Sequence, residues 1–149
     1  MELMLIRQVK KSDRDEWRRM REALWPDSDD DHQREVGEYF QQTERNVAVF
    51  VAERDNGQLG GFLEASIRYY AEGCDTRSVG YIEGWYVDPD LRLQAVGRAL
   101  VEAAEPWARE QGCREMASDC ELDNNVSFKA HLALGYEEVE RAIHFRKAL

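Results

Sequence analysis

The chain has 149 residues, 43% of them hydrophobic and 10% aromatic, which suits one domain and excludes disorder throughout. A folded chain of this length hides roughly 68–70% of the surface it exposes when unfolded, so its core needs neither a disulfide nor a structural metal. Twenty basic against thirty acidic residues leave a net charge of −10. Such a field repels phosphate backbones and attracts cations, which argues against nucleic acid as substrate while leaving room for a local basic patch that holds a phosphate.

The sequence has no run of about eighteen apolar residues, the length a membrane-crossing helix needs. Its start, Met1 to Arg7, lacks the basic-then-apolar plan of a signal peptide. These features predict a single domain over residues 1–149, off the membrane and cytoplasmic. Cys74, Cys113 and Cys120 form no C-x-x-C pair and are odd in number, so three free thiols are expected. His32, His131 and His144 lack the spacing of a helical zinc pair, and no metal is expected.

In chain order, Leu3 to Val9 reads as a strand. Ser12 can cap a helix whose apolar face is Trp17, Met20 and Leu24. Pro26 and the acidic run Asp27 to Asp31 read as a loop, and a second helix starts near Asp31 with Val36, Tyr39 and Phe40 at helical spacing. Asn46 to Glu53 is a short Val-rich strand, and Asn56-Gly57 turns the chain into a strand from Leu59 to about Tyr69. Val79 to Asp88 is the next strand. A helix from about Ala95 to Gln111 follows, with Gly112 as its stop and a kink expected near Pro106, which lacks the N–H that would bond the Glu102 carbonyl. Glu115 to Cys120 is a strand, Asn124 to Leu134 a helix, and Tyr136 to Val139 with Ile143 to Lys147 a final hairpin-like pair. This order predicts an α/β domain with a mixed, mostly antiparallel sheet rather than a doubly wound parallel one.

The strongest local signal runs from Val87 through Arg92-Leu93-Gln94-Ala95-Val96-Gly97-Arg98. It is a strand end, a turn and the start of an amphipathic helix, whose free N–H groups and dipole suit a pyrophosphate beside Arg92 and Arg98. An ordinary helix start with two solvated arginines is the other reading. Along the strand from Val79, alternation puts Val79, Tyr81, Glu83, Trp85 and Val87 on one face, so Glu83 is expected among apolar neighbours. An unpaired carboxylate there would have a raised pKa, suited to a general base or an ammonium site. A partly exposed Glu83 paired with an arginine is the alternative. Asp119 ends the next strand, where ligands meet loops, or is a turn residue before Asn124.

Arg92-Leu93-Gln94-Ala95-Val96-Gly97 resembles the Q/R-x-x-G-x-G/A acetyl-CoA loop of the GNAT N-acetyltransferase superfamily, and the order of elements matches that fold along almost the whole chain. Asn124, with Leu134-Gly135-Tyr136 and Val139, is similar to the superfamily's second signature. Leu24-Trp25-Pro26-Asp27, Tyr81 to Val87, Met116 to Asp119 and His144 to Lys147 resemble one branch, the aminoglycoside 6′-N-acetyltransferases. The resemblance implies a GNAT fold with about seven strands and four helices. It implies acetyl-CoA as cosubstrate, bound by Val87, Arg92 to Arg98 and Asn124, with a backbone N–H near Val87 as oxyanion donor.

A cationic aminoglycoside would then be acetylated at its 6′-amine by direct attack in a ternary complex, with Glu83 and Asp119 handling the amine. Trp25, Asp27, Tyr70, Trp85 and Glu140 border the acceptor, and the branch implies a homodimer using Ile143 to Phe145. His131 falls where many members carry a tyrosine that protonates the leaving thiolate; it serves as that acid or only packs. Ala95 stands where the family has glycine, and if that position needs a positive φ it costs ~1–2 kcal/mol of strain. Two further readings stay open: a GNAT enzyme for a polyamine or other small amine, and a non-catalytic acyl-CoA-binding module.

Overall fold

The computed structural model describes residues 4–43 and 45–149, so Leu3, where the first strand was expected to begin, lies outside the described residues. The elements are β1 (Leu5–Gln8), α1 (Arg14–Leu24), α2 (Asp29–Gln41), β2 (Val47–Glu53), β3 (Leu59–Arg68), β4 (Val79–Val87), α3 (Val96–Glu110), β5 (Glu115–Ser118) and α4 (Asn125–Ala133), with short 3-10 turns at Lys11–Asp13 and Pro89–Leu91. The strands form one sheet in the order β1-β2-β3-β4-β5. All neighbours are antiparallel except β4 and β5, which run parallel. The expected mixed, mostly antiparallel sheet with four helices is therefore present.

Two apolar layers hold it. Phe50, Leu63 and Ile82 of the sheet pack against Leu100 and Ala104 of α3. Trp17, Met20, Val36, Val51 and Phe62 pack between the opposite face and the α1–α2 pair. The largest of these, Trp17, Phe62, Met20, Leu63 and Leu100, are fully buried, each contributing about 1.5–3 kcal/mol by leaving water.

Several expectations are corrected. Among the described residues there are five strands rather than about seven, because Tyr136 to Val139 and Ile143 to Lys147 form no ladder and run as irregular, mostly exposed chain. Apolar alternation sets a face but supplies no neighbour to bond. Ser12 is not the cap of α1: it lies inside the 3-10 turn, where the Asp13 carboxylate accepts the Lys10 N–H at 2.7 Å and two bonds from Arg7. Asp29 and Asp30, expected in the loop, join Asp31 in the first turn of α2, where the helix dipole favours their charge. Pro106, where a kink was expected, does not end α3, which runs on to Glu110; Glu102 and Pro106 both face solvent, so water can take the carbonyl left without a donor. Cys74, Cys113 and Cys120 are free.

The correction that matters most concerns β4. Its register with β3 slips between Glu64 and Ala65: Ala65 faces Ile82 while Glu64 faces Gly84, which leaves Glu83 as the extra residue of a β-bulge. The bulge changes the parity of the strand. Val79 and Tyr81 pack with Ala71, whereas Trp85 and Val87 pack against the α3 layer. The expected single row from Val79 to Val87 does not exist, and Glu83 is exposed rather than set among apolar neighbours.

Candidate active site

β5 pairs with β4 only from Val79–Glu115 to Ile82–Ser118. Beyond that point residues 83–87 of β4 have no β5 partner, and the sheet opens beside the bulge toward the start of α3.

On the α3 side, Leu93 and Ala95 both sit in the left-handed region, at φ 65° and 64°. Ala95 is the N-cap of α3, and no side chain caps the first turn, whose N–H groups have no carbonyl within the helix to bond. Alternation of left-handed residues before a helix start curls backbone amides into an anion cradle. Arg92 Nε donates to the Val87 carbonyl at 3.0 Å, Gln94 to the Asp90 carbonyl at 3.1 Å, and Trp85 Nε1 to the Gly97 carbonyl at 3.1 Å. Arg98 is exposed. Asp88 anchors the preceding turn. Burial pushes its carboxyl up, but hydrogen bonds from Arg19 and Arg54 outweigh burial and hold it below the usual carboxylate range.

On the opposite side stand the carboxylates. Glu83 accepts from Ser66 Oγ at 2.5 Å and from Arg68 at 2.8 and 2.6 Å, the exposed, arginine-paired alternative. The Arg68 guanidinium lies over the Tyr81 ring, 3.5 Å from its centroid, and Tyr81 donates its hydroxyl to Asp119 Oδ2 at 2.5 Å. Burial, with that bond to Asp119, pushes the Tyr81 hydroxyl above its ordinary range, so it stays a proton donor at neutral pH. Ser66, Arg68 and Tyr81 thus join Glu83 and Asp119 in one chain of contacts. Nothing in their spacing announces this, because the bulge that aligns them is invisible to alternation.

A sequence profile of the acetyltransferase (GNAT) family matches residues 17–136. The chain belongs to the GNAT acetyltransferase family. It is 48% identical over 147 residues, 97% of either chain, to an aminoglycoside N(6′)-acetyltransferase type 1 of Klebsiella aerogenes, and 43% identical over 145 residues, 97% of this chain and 99% of the other, to one of Salmonella typhimurium strain LT2. Among solved structures it superposes with a TM-score of 0.90, at 42% identity and 99% coverage of both chains, on AAC(6′)-Iy in complex with the bisubstrate analogue CoA-S-monomethyl-acetylneamine.

Within this GNAT frame the remaining sequence candidates take definite places. Asn124 caps α4, its Oδ1 accepting the Ser127 N–H at 3.1 Å. His131 has both ring nitrogens engaged, Nδ1 at 2.7 Å from the Ser127 carbonyl and Nε2 at 2.8 Å from Ser118 Oγ, and its ring packs edge-on to Trp85 and Tyr136. That geometry ties α4 to β5 and leaves neither nitrogen free. Trp25 lies across Gly84: a Cβ there would come within 2.5 Å of the Trp25 ring. Trp85 faces α3, so the two tryptophans expected together are on opposite faces of the sheet. Asp27 is exposed with φ 64°. Tyr70 is exposed in the β3–β4 loop; Glu140 follows Val139, which crosses that loop close against Gly73. No helix is long and apolar enough to cross a membrane, and no metal-holding cluster is found among the described residues.

Proposed function

We infer that the protein is an acetyl-CoA-dependent aminoglycoside 6′-N-acetyltransferase, a class that confers aminoglycoside resistance. The observation that carries this reading is the opening of β4 from β5, with an anion cradle on one side and Glu83 and Asp119 on the other. It is joined by near full-length identity to enzymes bearing that name. The cradle at Leu93 to Arg98 suits the pyrophosphate of CoA, and the unpaired edge of β4 near Val87 suits the pantetheine and the thioester oxygen.

Glu83, held by Arg68 and Ser66, is positioned for a substrate ammonium. Asp119 has one described side-chain partner, on Oδ2, which leaves Oδ1 to take a proton from the 6′-amine directly or through water. The neutral nitrogen then attacks the thioester carbon; the new C–N bond forms as the C–S bond breaks, and the proton the nitrogen sheds passes through water to the leaving thiolate, giving the amide and the free CoA thiol. Trp25, Asp27, Tyr70 and Glu140 border the sugar rings, while His131, Asn124 and Trp85 hold the donor side in shape. Thiol release from acetyl-CoA on adding kanamycin, and none on adding spermidine or a peptide amine, is the expected result. Release with spermidine or peptide alone overturns the acceptor, and none with any amine favours an acyl-CoA-binding module.

The strain at the cradle has a measurable consequence. A residue with a Cβ costs ~1–2 kcal/mol in the left-handed region, partly offset by the ~0.5–1 kcal/mol that glycine loses in chain entropy. Leu93→Gly with Ala95→Gly should therefore raise Tm by a few degrees and tighten CoA binding by calorimetry; a lower Tm with weaker binding contradicts it.

The chain is also read as a homodimer built through its C-terminal arm. Val139, Ile143 and Phe145 are 60%, 74% and 91% exposed, apolar surface that a second copy would cover, and among the described residues the outer edge of β5 has no strand beside it. Light scattering should give twice the chain mass, falling to one chain on removal of residues 137–149; a monomeric full-length chain contradicts it.

A further inference from the structure

Buried charge between α1, α2 and β3 has no part in the reaction above. Arg21, His32 and Glu64 are 6%, 2% and 9% exposed. Arg21 Nη1 reaches Glu64 at 3.4 Å, Trp17 Nε1 donates to Glu64 at 3.0 Å, and Arg21 Nη2 pairs with Glu35. The Arg21–Glu64 pair is thus satisfied without His32. The imidazole does something else. Arg21 Nε donates to His32 Nδ1 at 3.3 Å, which makes the opposite nitrogen the N–H donor, and Nε2 lies 2.9 Å from the Trp25 carbonyl and 3.4 Å from Glu22 Oε2. The other oxygen of Glu22 accepts the Asp27 N–H at 2.7 Å. His32 therefore ties the buried arginine to both sides of the turn between α1 and α2. Its ring stacks on Trp25 with centroids 6.1 Å apart, and Trp25 lies on Gly84, next to the Glu83 bulge.

We propose that His32 is a positioning residue for the acceptor: by joining Arg21 to the Trp25 carbonyl it sets where Trp25 stands beside the bulge and holds the turn that carries Asp27. This rests on the acetyltransferase reading. The cleft between Trp25, His32 and Glu35, about 250 Å³, is below the ~300–1,000 Å³ of a ligand pocket. An imidazole is suited to the task because one rigid ring accepts on one side and donates on the other.

The test uses the full chain with His32→Leu and His32→Gln, the latter retaining an N–H for the Trp25 carbonyl. Steady-state kinetics with kanamycin and acetyl-CoA are read beside amide exchange of residues 25–31. In His32→Leu the kanamycin KM should rise about tenfold, the worth of one or two hydrogen bonds. The acetyl-CoA KM should stay within about twofold, and exchange in 25–31 should accelerate while β2 and β3 are unchanged. His32→Gln should recover most of both effects. A kanamycin KM unchanged in a folded variant, or both KM values rising alike, overturns the proposal. If the unmodified protein acetylates no aminoglycoside, the acceptor reading falls on its own. Exchange then decides the positioning, and unchanged rates in 25–31 overturn it.

Discussion

Asp119→Asn should lower kcat by about 10²–10⁴-fold, the usual weight of a positioned base, while Tm and the acetyl-CoA KM stay as they were. Asp119 is exposed just past the end of β5, and its one described side-chain bond comes from the Tyr81 hydroxyl. An asparagine oxygen can still accept the Tyr81 hydroxyl, keeping the local geometry while removing the proton acceptor. Tyr81→Phe separates the two roles: the tyrosine only orients the carboxylate, so its loss should cost far less turnover than the asparagine variant. Near-normal kcat in Asp119→Asn would remove that residue from the proton transfer and pass the task to Glu83.

Arg21→Met should destabilise the fold strongly, in a way that grows with pH. Burial already pushes the Glu64 carboxyl above the usual carboxylate range, against the opposing pull of Arg21 and the Trp17 hydrogen bond. Without Arg21, Glu64 can avoid an uncompensated buried charge by keeping its proton. An unfolded chain ionises that carboxyl freely, so holding the proton costs about 1 kcal/mol at pH 5 and about 3–4 kcal/mol at pH 7. The sign follows from proton count: the folded variant binds the extra proton, and stability falls as pH rises. Adding Glu64→Gln should abolish the pH dependence and restore much of the loss, since a neutral amide can still accept from Trp17. A loss independent of pH between 5 and 7 would mean that Glu64 finds another cation or water.

Much of the fold was legible in the chain. Trp17, Met20 and Leu24 are spaced for one face of α1, and all three pack in the layer between α1, α2 and the sheet. The loop from Arg92 to Arg98 was recognisable as motif; whether Ala95 needs a positive φ was open in the sequence, and the fold answers it at 64°. The bulge at Glu83 was not legible, because the apolar–polar rhythm continues on both sides of it and only the register with β3 reveals the extra residue. That one residue put Trp85 on the wrong face and hid the links from Arg68 and Tyr81 to the carboxylates. The C-terminal pair failed for a different reason: apolar alternation marks a face, but nothing in Tyr136 to Lys147 fixes a partner or a register, and the segment forms no ladder in this chain. The buried network left fainter marks. Glu64 interrupts an apolar stretch of β3, and His32 lies four residues before Val36 on the buried face of α2, both signs that a charged or polar group would need partners inside.

The reaction and its regiochemistry are tested together by one comparison: thiol release from acetyl-CoA with kanamycin and with an aminoglycoside that carries a 6′-hydroxyl in place of the 6′-amine. An acceptor held by Glu83 and deprotonated by Asp119 must be a nitrogen at that position, so release with kanamycin and none with the hydroxyl analogue is predicted. Equal release with both drugs would place the acetyl group on another amine and contradict the assignment of the site.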